Sequence, residues 1–95
     1  MDNIALLSFY LQTFKSAPVS IDMKVEGATL ALGTLGLSKK NEKFFLALFN
    51  STPDVGHELF LIAVEEIVRQ GGNDNDKIVS AVIKETAARL KKRGH

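Results

Sequence analysis

A chain of 95 residues, 45% hydrophobic and 24% charged, is long enough for one domain with a buried core. It contains no cysteine, which excludes disulfides, thiol catalysis and cysteine-based zinc sites and favours a reducing compartment, so we expect a cytoplasmic protein. The formal net charge of +1 provides no general attraction for nucleic acid or anionic lipid, and either partner would need a local basic cluster.

The apolar runs of the chain are short. None exceeds six residues, well below the ~18 that a membrane-spanning helix needs. The N-terminus carries Asp2 where a secretory signal needs a positive charge, so we expect no signal peptide. The sequence therefore predicts a protein without a membrane span.

The first predicted element is a helix that begins after Asp2 or Asn3, because either side chain can accept from the free N–H groups of a first helical turn. It ends near Lys15, ahead of Pro18, which disfavours helical backbone in the residue before it. Its apolar residues cover more of the helix surface than one core-facing stripe requires. They are Ile4, Leu6, Leu7, Phe9, Tyr10, Leu11 and Phe14.

Residues 19–37 match two patterns. Apolar and polar residues alternate from Val19 to Val25, and Glu26 with Gly27 could connect two strands, which predicts a β-hairpin at about 19–32. The same segment also places apolar residues at helical spacing, with Ser20 as a possible N-cap. We favour the helix, because a single hairpin would leave two exposed edges. An α+β fold with the hairpin is the alternative.

The third element is a helix that Ser38 can cap. Its residues 44–49 are all apolar, and the polar residues 50–52 interrupt the pattern. This helix therefore lacks a fully polar face.

The fourth element is a helix over 53–70. Pro53 is tolerated in a first turn and Asp54 is favourable there, while Gly71 can adopt the left-handed conformation that often follows a helix. Residues 59–64 at its centre are all apolar. We expect the other helices to surround it.

An amphipathic fifth helix is predicted from Asp76 to Lys92. The connection from the fourth helix is about five residues long, so the two helices should form an antiparallel hairpin. The predicted fold is all-α, a single domain over 1–95 that forms a compact bundle of four to five short helices around a buried central helix. We expect the basic tail 91–95 to be frayed.

No motif predicts an active site. Residues 74–76 resemble the start of a calcium loop, but Ile78 and Val79 stand where an oxygen ligand and a glycine are needed. His57 with its following glutamate resembles the start of a zinc-protease helix, but Leu61 replaces the second histidine. We expect no catalytic, metal-binding or cofactor-binding residues and a protein that is not an enzyme.

A DNA-binding regulator is the alternative function. The segment at about 29–45 resembles a helix-turn-helix, and Lys39, Lys40 and Lys43 at the start of its second helix could contact phosphates. Against this function, Glu42 falls where the second helix needs an apolar residue on its inner face.

The apolar content of the helices exceeds what a chain of this length can enclose, and an uncovered apolar face marks a protein contact. We therefore expect a small regulatory or adaptor protein that acts through protein–protein interaction, as a symmetric homodimer. Aromatic side chains supply the most contact area per ordered side chain. The predicted interface residues are Phe9, Tyr10, Phe14, Phe44, Phe45 and Phe49.

Residues 66–79 form a Gly- and Asn-rich turn between two amphipathic helices. This segment resembles the helix-turn-helix hairpin of small enterobacterial regulators of biofilm formation and acid resistance, which are dimeric helical connector proteins. The resemblance covers less than a third of the chain, and we carry no residue role over from it. It implies a dimeric regulatory protein.

Overall fold

The computed structural model describes residues 3–16 and 18–93. These residues form five helices and no strand, which confirms the all-α bundle. The side chains of residues 91–93 and all of residues 94 and 95 lie outside this description, so the predicted fraying of the tail stays a prediction. The helices are α1 (Asn3–Ser16), α2 (Ile21–Leu32), α3 (Lys39–Ser51), α4 (Pro53–Arg69) and α5 (Asn75–Arg93).

The ambiguous segment is helical, so the alternative β-hairpin at about 19–32 is wrong. The side chain of Ser20 accepts a hydrogen bond from the backbone N–H of Met23, which satisfies a free donor of the first turn of α2. Ala28 and Leu32, one turn apart, are buried in the core. Helical spacing therefore places apolar residues inside, whereas the alternating pattern would have buried Met23, which is exposed.

α4 is the central helix and contacts each of the other four. Phe60, Ala63, Val64 and Ile67 on its inner side are completely buried. The opposite side is open, since 51% of Ile62 is exposed. The apolar run at 59–64 is thus surrounded over most, but not all, of its circumference.

An aromatic cluster around Phe60 joins three helices. The ring of Phe60 lies edge-on to Phe45 of α3 at 5.4 Å and to Tyr10 of α1 at 5.8 Å between ring centroids. Phe49 completes the cluster at 5.8 Å from Phe60. Such edge-to-face pairs add to the free energy gained from apolar burial.

The turn between α4 and α5 uses two glycines in left-handed backbone conformation, Gly71 with φ +88° and Gly72 with φ +76°. Their N–H groups donate to the carbonyls of Val68 and Ile67, which closes the end of α4. This turn sends α5 back along α4, and it confirms the antiparallel hairpin predicted from the short connection.

Candidate functional site

The most apolar surface feature is a groove of about 290 Å³ between α1 and α2. Two large side chains stand exposed beside it: 65% of Phe9 on α1 and 72% of Leu30 on α2 are accessible to solvent. We call this surface the α1–α2 face. It consists chiefly of Leu6, Phe9, Tyr10, Phe14, Leu30 and Ala31.

The position of Phe9 follows from helix geometry. Leu7 is buried in the core, and two residues further along a helix the side chain points about 200° away. Phe9 therefore projects from the outer side of α1, away from the core. This orientation leaves its ring without cover from α4.

Close approach of α1 and α2 closes the inner side of the groove. A Cβ on Gly27 would lie 2.9 Å from the ring of Phe14 and 3.5 Å from that of Tyr10, so a larger residue there would displace the ring of Phe14 from α2. Gly33, by contrast, faces only the carbonyl of Leu30 at 3.6 Å.

The α1–α2 face lacks charge along α1. No residue from Asn3 to Phe14 is acidic or basic. Lys15, at the end of the helix, pairs with Glu65 of α4 at 2.6 Å, an exposed ion pair that holds its ammonium group toward α4. On α2, Glu26 lies one turn before Leu30 and is exposed at the border of the face.

Beneath the groove, the hydroxyl of Tyr10 is hydrogen-bonded to Nε2 of His57 on α4 at 3.1 Å, and both residues are buried. Burial raises the pKa of the Tyr10 hydroxyl well above its usual range. Burial and, to a lesser degree, the nearby Lys24 lower the pKa of His57, against the opposing effect of Asp54 and Glu58. The result is a neutral pair near pH 7 that fixes α1 to α4.

The structure separates the six aromatic residues predicted as an interface. Phe9, Tyr10 and Phe14 line the α1–α2 face, with Phe9 exposed, Phe14 half-buried and Tyr10 buried. Phe45 and Phe49 lie in the aromatic core.

Phe44 is 37% exposed on α3 and does not line the groove between α1 and α2. Phe44 therefore belongs to a different surface from Phe9. The residue that sequence reasoning missed is Leu30. A signal existed, because Leu30 falls outside the helical series of buried residues that includes Ala28 and Leu32.

The three lysines of the alternative function are exposed on the first turns of α3: Lys39, Lys40 and Lys43. In the first turn of α3, Glu42 is exposed and Asn41 is the buried residue. The exposed Glu42 places one carboxylate among the lysines.

Asn41 connects the start of α3 to the start of α5. Its amide Nδ2 donates to the carboxylate of Asp76 at 2.8 Å and to the hydroxyl of Ser80 at 2.9 Å. Asp76 also accepts from the backbone N–H of Ser38 at 2.8 Å. The backbone hydrogen bond from Ser38 and the amide of Asn41 lower the pKa of Asp76, so its carboxylate is charged near pH 7.

Within residues 3–16 and 18–93, no group of three or more histidine, cysteine or acidic residues is placed to hold a metal ion. None of the helices described is long and apolar enough to cross a bilayer. Comparison with protein-family models, curated proteins and solved structures gives no match. The assignment of a function therefore depends on the geometry and chemistry of the surfaces described above.

Proposed function

We propose that this chain is a small, non-enzymatic regulatory or adaptor protein that acts by binding a protein through its α1–α2 face. The observation that supports the proposal is the exposure of Phe9 and Leu30 on either side of an apolar groove. Fully burying an apolar side chain of this size contributes about 1.5–3 kcal/mol. Burying two such side chains and the groove would therefore make a substantial contribution to the free energy of binding a partner.

Single exposed apolar residues are common on protein surfaces and need no partner. Val55 and Met23, for example, are each more than half exposed. The α1–α2 face differs from these because several apolar residues adjoin one another around a concave surface. Contiguity, rather than exposure alone, is the property that marks interaction surfaces.

The proposal is tested by site-specific photocrosslinking in the native host, with a photoreactive phenylalanine analogue in place of Phe9. We expect discrete crosslinked protein products from this position, including products with the chain itself. The matched control carries the analogue at Ile62, which is also about half exposed but lies on the open side of α4. Equal products from both positions, or none from position 9, would contradict the proposal.

The exposed lysines favour DNA binding as a second candidate function. Lys39, Lys40 and Lys43 adjoin the N-terminal end of α3, the part of a recognition helix that contacts DNA in helix-turn-helix proteins. We expect fluorescence anisotropy at low salt to detect duplex binding that weakens steeply as salt rises. Replacing Lys39 and Lys40 by alanine should abolish this binding, whereas replacing Lys84, exposed about two turns into α5, should not. No change in anisotropy at low salt excludes this function.

A further inference from the structure

We infer that the partner on the α1–α2 face is a second copy of this chain, related by a two-fold axis, with Phe9 of each protomer packed against Leu30 and the groove of the other. This inference rests on the proposed function, since it names the partner for the same surface. Two properties of the face support it, its shape and its lack of charge, and its size sets the expected affinity.

A two-fold interface uses the same patch on both protomers, so that patch must contain its own complement. The α1–α2 face meets this condition, because the projecting ring of Phe9 and the groove of about 290 Å³ adjoin one another. The groove is lined almost entirely by apolar atoms, which suits an aromatic ring. A partner of a different sequence would need no such pairing of projection and groove on one face.

The distribution of charge agrees with a second copy. A two-fold axis brings equivalent residues of the two protomers close together, so a charge near the axis meets its own like charge, which disfavours association. Residues 3–14 of α1 carry no charge, which removes this cost where the two α1 helices would cross. Nucleic acid and anionic lipid need lysine or arginine, and this face has neither. Glu26, one turn before Leu30, is the charged residue at its border and is exposed.

The size of the face sets the expected affinity. α1 has 14 residues, which correspond to about 21 Å, and two adjacent helices are about 20 Å wide. The resulting footprint, roughly 400 Å², is smaller than the ~800 Å² per partner of a standard interface. We therefore expect a weak, reversible dimer with a dissociation constant on the order of tens of micromolar.

Sedimentation equilibrium over about 1 μM to 1 mM tests this inference, because the range extends well to both sides of the expected dissociation constant. We expect wild-type protein to pass from monomer to dimer across it. Phe9→Glu and Leu30→Lys, which place a charge on the apolar face, should each raise the dissociation constant at least tenfold. Ile62→Glu, at a similarly exposed position on α4, is the matched control and should dimerise like wild type. Circular dichroism verifies that each variant keeps its helix content.

Mixing the two charged variants gives the sharpest result. If Phe9 of one protomer packs against Leu30 of the other, the new glutamate and lysine come together in a heterodimer. The mixture should therefore associate more strongly than either variant alone. A strictly monomeric wild type would overturn the inference, while the crosslinks from position 9 would still decide the proposed function. Dimers that Phe9→Glu leaves intact, or a mixture that does not associate, would overturn it as well.

Discussion

The imidazole of His57 is buried under α1 and shares a hydrogen bond with the Tyr10 hydroxyl. Burial lowers its pKa below the ordinary value of 6.5. Between these two pKa values the unfolded chain takes up a proton and the folded protein does not, so acid favours unfolding. The charged groups that face the ring are Lys24 from α2 and Asp54 and Glu58 from α4.

We therefore expect the free energy of unfolding to fall as the pH decreases from about 7 through 6.5 and to level off once the folded protein also binds the proton. Urea denaturation at a series of pH values measures this dependence. In a His57→Gln variant the decrease over this pH range should disappear. A wild-type protein that is equally stable at pH 7 and pH 5.5 would contradict the role given to His57.

Asn41 is a second residue whose burial depends on its hydrogen bonds. Asn41→Ala removes the hydrogen bonds to Asp76 and Ser80, whose polar groups remain accessible to water. We expect a loss of about 0.5–1.5 kcal/mol in the free energy of unfolding. Asn50→Ala, at an exposed position of the same helix, should change it by less than about 0.5 kcal/mol. Equal effects of the two substitutions would show that these hydrogen bonds add no stability.

At the scale of the helices and turns, replacement of glycine by alanine should have opposite effects on stability at two positions. Gly72 has φ +76°, and a Cβ there would lie 2.5 Å from the Ile4 side chain of α1. Gly33 has φ −65°, and a Cβ there would meet only the carbonyl of Leu30 at 3.6 Å. Left-handed backbone is costly for alanine, whereas at Gly33 alanine restricts only the unfolded chain.

Gly72→Ala should lower the free energy of unfolding by about 1–3 kcal/mol, while Gly33→Ala should raise it by about 0.4–1 kcal/mol. Chemical denaturation of both variants beside wild type checks the two signs. A stabilised Gly72→Ala variant would contradict the assigned turn geometry. The result matters for the α1–α2 face too, because the contact with Ile4 anchors the N-terminal end of α1 to the α4–α5 turn.

The helix boundaries could be predicted because their signals are local. Ser20 and Ser38 cap α2 and α3 through their own side chains, and Gly71 ends α4 by its backbone conformation. The interface could be predicted only in part. In an uninterrupted apolar run such as residues 44–49, every side of the helix is apolar, so the sequence alone does not distinguish the buried Phe45 and Phe49 from exposed neighbours. The packing of α3 on α4 determines which of these residues are buried.

At the scale of the whole molecule, a bundle of 45 × 30 × 23 Å keeps its α1–α2 face on one outer side. If that face dimerises, folding is linked to association, and stability depends on protein concentration. When the total protein concentration is about ten times the dissociation constant, about a fifth of the protein remains monomeric, and association adds about 1 kcal/mol. For a domain of this length, that free energy corresponds to roughly 4–8 °C in Tm.

We expect Tm of the wild type, measured by circular dichroism, to rise by this amount between dilute and concentrated samples. The Tm of Phe9→Glu should depend much less on concentration than that of the wild type. A Tm of the wild type that does not change with concentration would indicate that folding and association are independent.

The central position of α4 also affects how the protein is made on the ribosome. Each other helix contacts α4, so α1, α2 and α3 emerge before the element against which they pack. At roughly 5–20 residues per second, α4 follows α1 by seconds. Until α4 is available, the rings of Tyr10, Phe45 and Phe49 lack Phe60, the ring against which all three pack. The nascent chain therefore exposes far more apolar surface than the finished protein, and it does so until Arg69 has left the exit tunnel.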